Sequence, residues 1–437
     1  MSWLNFFQTT SKCKISFGRG INASINPDEE ELFNKSYEAF MQKKTLDAYE
    51  YFFTSLINFT NDVSNENILL QRDENELHFK IYQGTAKIEG VITNEHLKAE
   101  VTLVENEHAS VALKRYVLER NYQLTYANYF SDAKHIKLKL YLDNITMSPQ
   151  KIFFPLRELA LNADFDKEHI VSEFSDTPLQ DIEHLKPLDK EELEIKFNFL
   201  KRLILELEEK VLTLPSNDNA GMQAFSYLNI LLKIDYLLVP KYTIYQKLSK
   251  KAQEYFGDEH ATIESKNEEL KKYVLELQEL SFEEFSKNFY NAKYTFNPIE
   301  KSSYDELIIF INESLNKIKW YKNNRYPQII PTIYEYIAFY SLYNYGVNNV
   351  VKELLHTLVM IHQASYFASL GCELFYDEAK ASFSKRAIIS RLDEIVKQNQ
   401  GKYKNLFIES DELNFASMNE FSYSYYNMLK NLDFEEL

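Results

Sequence analysis

A chain of 437 residues is longer than one ordinary domain of roughly 100–200 residues, so two domains are expected. Its formal net charge of −16, from 49 Lys plus Arg against 65 Asp plus Glu, repels phosphate backbones and anionic headgroups and argues against nucleic acid and membrane surface as general partners. Glycine and proline are scarce, at 9 and 10, while Tyr and Phe reach 31 each, a balance that favours aromatic-packed helices over loops wrapped around a phosphate or cofactor.

Cys13 and Cys372 fall in different predicted segments, which leaves no disulfide framework and no zinc site. The opening MSWLNFFQTTSK lacks the basic-then-apolar order of a signal peptide. The most apolar stretches, 224–239 and 329–345, are broken by Lys233 with Asp235 and by Glu335, short of the roughly 20 clean residues of a membrane span. A cytoplasmic protein is therefore expected.

Residues 1–28 show no sustained period. Helical patterns follow at 29–42 and 45–60; the piece AFMQKKTLDAYEYFFTSL at 39–56 is similar to one tetratricopeptide hairpin, but no further copy follows and a solenoid needs about three. The period then changes to two. After a short strand at 68–72, Leu77, Phe79 and Ile81 alternate with His78, Lys80 and Tyr82, and similar alternation runs through 86–92 and 97–103. Such runs predict an antiparallel sheet with one buried and one wet face. A helix is predicted at 108–120, strands at 124–130 and 135–142, a helix at 149–164 and a short one at 167–174. At the strand-to-helix corner, Ser148 and Pro149 suit an N-cap and first helical residue, whereas Pro155 predicts either a kink or a later start.

The polar, proline-marked stretch 176–189 is expected to be a linker. Beyond it every strong pattern is helical: 189–214, 219–238, 241–256, 264–279, 282–293, 303–322, 329–345, 347–369, 373–398 and 411–431. The predicted organisation is an N-terminal segment with a helix at 1–45, an α+β domain at 46–175, a linker at 176–189 and an all-helical domain at 190–437.

The element order of 46–174, with the phrases RYVLERNYQLTYANYF and HIKLKLYLDNITMSPQKIFFPLRELALNADFD, resembles the YbjN and type III secretion (Tir) chaperone superfamily. The resemblance implies an α+β fold in which a one-sided antiparallel sheet is backed by helices, no catalytic residues, and a role in holding unfolded protein segments. The helical domain is an addition to that pattern.

No nucleophile elbow, phosphate-binding loop, dinucleotide fingerprint or HExxH run is present. Glu353 and His356 have the Glu-x-x-His spacing used by di-iron bundles, but the helical domain offers no second such pair; another occurrence, Glu105 to His108, lies at a strand-to-helix turn. No metal or other cofactor is therefore expected. The expectation is a non-enzymatic protein that binds a protein or peptide client on the wet face of its sheet, with Lys80, Tyr82, Lys139 and Tyr141 as candidate contacts. Val111 and Leu118, off the main apolar stripe of their helix, are candidates for contact with a second copy in a homodimer. The rival readings are a structural scaffold or immunity-type binder, and an enzyme or metal-binding protein with its site in the helical domain.

Overall fold

The alternating segments pair as their patterns require. In the computed structural model, which describes residues 15, 17, 18, 27–57, 67–174, 176–215, 219–300 and 302–436 (only the backbone at 27–29), α1 (Pro27–Met41) and α2 (Thr45–Ser55) precede the sheet. The strands are β1 (Ile68–Arg72), β2 (Leu77–Gln83), β3 (Ala86–Ile92), β4 (His96–Glu105), β5 (Asn128–Ser131) and β6 (His135–Asp143), in the order β1-β2-β3-β4-β6-β5 and antiparallel throughout. Phe79, Ile81, Ile88, Val101, Leu138 and Leu140 point to one side and are buried beneath α2 and α4 (Pro149–Glu173). Each such side chain stabilises the fold by roughly 1.5–3 kcal/mol. Gly90 on β3 makes room for this layer: a Cβ there would lie 2.2 Å from Cζ of Phe79, whose ring stacks on Phe53 at 4.6 Å.

Several sequence expectations are corrected here. Helix α3 (Val111–Arg120) starts after 108 because Ser110 is its N-cap, accepting from the Leu113 N–H at 3.1 Å. Strand β5 starts after 124 because the N–H groups of Thr125, Tyr126 and Ala127 donate to the Glu158 carboxylate at 2.7–2.9 Å. The two helices expected at 149–164 and 167–174 are one, α4, capped by Ser148 and running through Pro155. The polar run that looked like a break, Asp164 to Glu168, is held by partners on every side. Asp164 accepts from the N–H and hydroxyl of Thr85, Asp166 from Tyr116, Tyr129 and Arg120, and Glu168 from the Tyr290 hydroxyl, while Lys167 donates to the carbonyls of Thr85 and Gln180. Buried charges persist in a helix when each is paired.

Residues 176–189 attach to both halves. Leu179 bridges to Val104 beyond the end of β3, the Gln180 N–H donates to the Leu103 carbonyl at 2.9 Å, and β7 (Lys186–Pro187) pairs with β8 (Tyr290–Asn291).

The second core is helical: α5 (Lys190–Thr213), α6 (Ala220–Lys233), α7 (Tyr242–Gly257), α8 (Ile263–Glu279), α9 (Phe282–Ser286), α10 (Tyr304–Asn323), α11 (Ile330–Asn344), α12 (Asn349–His362), α13 (Ala364–Ser369), α14 (Lys385–Asn399) and α15 (Met418–Lys430). The pattern at 219–238 ends in a π-helical turn, Ile234–Leu238, stopped by Val239 at φ 53°. The helix expected over 282–293 stops at Ser286, since the Asn288 carbonyl and side chain accept from the N–H groups of Lys241 and Ile244 and the chain then extends into β8. The pattern at 347–369 divides into α12 and α13 at Gln363. That at 373–398 opens with a hairpin, β9 (Tyr376–Asp377) with β10 (Ser382–Phe383), before α14. The helix expected from 411 starts after Ser417, which caps α15 by accepting from the Glu420 N–H. Helix α11 is buried on nearly all sides, by residues such as Ile333, Ile337 and Phe339.

Two aromatic residues cross between the cores: Phe17 is buried in the helical one and Phe296 in the sheet one. The expectation for the cysteines is corrected at Cys372, which is disulfide-bonded; Cys13 lies outside the described residues. Among the described residues no helix is long and apolar enough to cross a membrane.

Candidate functional site

The face of the sheet opposite α2 and α4 carries the alternate residues of the same strands. Cross-strand register places Leu69, Lys80 and Glu89 in one row, continued by Glu100, Lys139 and Asn128, and Gln71, His78, Val91, Lys98 and Tyr141 in the next. Lys80, Lys87, Lys98, Lys137 and Lys139 thus share that side of the strands with Glu89, Glu100, Glu105 and Asp143, an interleaving of both charges in which the cations outnumber the anions by one.

The lysines divide by partner. Lys80 pairs with Glu89 at 2.9 Å, and Lys137 with Glu100 at 2.7 Å. That hydrogen bond, outweighing some desolvation, holds the Lys137 ammonium above its usual range. At Glu89 burial raises the carboxyl, but Lys80 and Lys87 overcome it and the net shift is downward. Lys98 and Lys139 have no carboxylate partner among the described residues. Each lies near an aromatic ring instead, Lys98 5.9 Å from Tyr141 and Lys139 4.5 Å from Phe130.

Of the residues singled out from sequence, Lys80, Lys139 and Tyr141 stand on this open face; Tyr141 is 58% exposed and stacks on His96 at 5.5 Å. Tyr82 shares the face but is half-buried, with the His184 ring tilted against it at 4.9 Å and Lys293 5.1 Å above it. Alternation alone carries no information about a later segment folding over one end of the sheet. Val111 and Leu118 are 68% and 62% exposed on α3, as their off-stripe positions imply.

Glu353 and His356 do not converge. Glu353 accepts from Arg391 at 2.8 Å, whereas His356 Nδ1 bonds to the Tyr236 hydroxyl at 2.8 Å inside the helical core. Burial, with a smaller contribution from Arg391, pulls the His356 imidazole down to about 4. Among the described residues the group of acidic and histidine side chains close enough to share a cation is Glu105, Glu107 and His108, exposed at the end of β4; His108 lies 3.4 and 3.5 Å from the two carboxylates.

Sequence reasoning missed the cavities. One of about 660 Å³ opens where the start of α5, Val239 to Lys241, β8 and the end of α13 meet. Lys196 in its wall donates to the Leu238 carbonyl at 3.1 Å and pairs with Glu192 at 3.0 Å; burial lowers its proton affinity despite that partner. Lys241 faces the rings of Tyr290 and Tyr294 at 5.5 and 4.6 Å. The adjoining backbone is strained at Val239 and Tyr242, with φ of 53° and 46°. The lining comes from segments far apart in the chain, so no local spacing announces it.

No protein-family model matches the chain, and no curated protein matches it.

Proposed function

We propose that this chain is a protein-binding module that holds an extended acidic peptide segment on the open face of its sheet. The observation that carries the reading is a pair of lysines beside aromatic rings on an open strand face of a chain of net charge −16. Lys98 and Lys139 are cations there without carboxylate partners among the described residues, spaced across adjacent strands and flanked by Tyr141 and Phe130. An extended peptide with alternating acidic residues matches the period of the strands beneath it. Glu89 and Glu100, in the middle of the face, disfavour a continuous phosphate backbone and favour a peptide whose charges can be spaced around them. The reading agrees with the client-holding role implied by the secretion-chaperone resemblance.

The test is titration of a fluorescent peptide of alternating Glu and Tyr against the full chain. The Lys98→Glu, Lys139→Glu double variant should weaken binding at least tenfold, and the wild-type affinity should fall with added salt. Lys247→Glu on α7, outside the face, should leave it unchanged. Equal affinity in the double variant, or preference for single-stranded RNA of the same length, would defeat the reading.

A further inference from the structure

A second cavity, of about 280 Å³, lies in the helical half between the π-helical turn, α7, α11 and the first turn of α12, with the connector 297–299 along one side. This is near the lower end of small-molecule sites, about 300–1,000 Å³. Its lining includes five aromatic side chains, Tyr236, Tyr245, Phe339, Tyr343 and Tyr345. Such rings provide flat apolar contact for a ligand ring.

Lys352 also lines this cavity. Among the described residues its side chain makes no hydrogen bond and no ion pair; desolvation alone acts on its ammonium and lowers its proton affinity. Asp235, a carboxylate in the same lining, has an interaction of its own. Lys352 further lies in the first turn of α12, whose N-cap is Asn348. At that end of a helix the dipole adds positive potential, which opposes a cation and favours an anion. An uncompensated amine beside flat aromatic walls is half of a recognition pair.

We propose that this cavity binds a small aromatic carboxylate, with the carboxylate on Lys352 and the ring among the tyrosine and phenylalanine side chains. The ligand supplies Lys352 with the carboxylate partner that it lacks among the described residues. The site is independent of the peptide face, which lies on the sheet in the other half of the chain.

Isothermal titration of the full chain with indole-3-acetate, and with its neutral isostere indole-3-acetamide, tests the proposal. Saturable one-to-one binding of the acid is expected, at least tenfold tighter than that of the amide. Lys352→Met, which removes an uncompensated charge and keeps most of the side-chain volume, should fold with undiminished stability and lose that preference; Lys352→Arg should retain it. Equal affinity for acid and amide, an unchanged preference in Lys352→Met, or no saturable binding of indole-3-acetate, phenylacetate or benzoate at millimolar concentration would overturn it.

Discussion

Replacing Asp166 by alanine removes the acceptor at the centre of the sheet domain's polar cluster. The carboxylate is fully buried and accepts from Arg120 Nε at 3.0 and 3.2 Å, from the Tyr116 hydroxyl at 2.5 Å and from the Tyr129 hydroxyl. The variant leaves a guanidinium whose side chain is only 14% exposed, together with two phenols in need of acceptors. Breaking a buried pair in this way costs about 3–5 kcal/mol. The Arg120 bond to the Asn162 side chain at 2.6 Å remains, so the expected loss is at the lower end, about 3 kcal/mol. Urea unfolding followed by circular dichroism, with amide exchange reporting on α3 and β5, measures it. Removing both charges in an Asp166→Ala, Arg120→Met double variant, compared with the two single variants, should recover part of the loss, because no uncompensated ion is then buried. A loss below about 1 kcal/mol in the single variant, or strict additivity in the double, would refute the assignment of Asp166 as the cluster's organising charge.

Three further outcomes follow from the same physics. Burial holds His356 and His362 at about 4, against an ordinary 6.5; the unfolded chain therefore binds more protons between these values, and stability falls as pH drops from about 6.5 to about 4. The loss is about 3 kcal/mol per histidine, and His362→Gln should flatten the acid limb of a stability-against-pH curve. Gly84→Ala should destabilise by about 2 kcal/mol or more in thermal melts, since φ is +53° and the new Cβ would meet the Asp164 carboxylate at 2.1 Å. Lys233→Met takes from the partly buried Glu335 its ammonium partner at 2.9 Å and leaves it the Asn229 and Gln363 amides, and should lower stability by about 1–3 kcal/mol in urea titrations, with Glu335→Gln in the same background restoring part of it.

Local chemistry made much of this fold legible. Period-two alternation in His78 to Tyr82 and Ile136 to Leu142 marks the two faces of the sheet because a strand turns over at every residue. The Ser303 and Glu306 spacing announces the start of α10, where both halves of the capping box form. These are interactions within a few residues of one another, and sequence order preserves them. The wet-face lysine and tyrosine candidates came from the same alternation, and three of the four stand clear on that face.

The sequence by itself determined the antiparallel sheet with one buried face, the helical remainder and the acidic balance of the chain. Tertiary structure alone decided that Asp164 to Glu168 continue a helix, since their partners Thr85, Tyr116, Tyr129 and Tyr290 are distant in the chain and burial of a charge depends on where those partners arrive. It also decided that His184 and Lys293 fold over Tyr82, and that Lys352 lines a cavity with Tyr236, Tyr245, Phe339, Tyr343 and Tyr345. Charge solvation is a property of the assembled surroundings, whereas periodicity is a property of the chain.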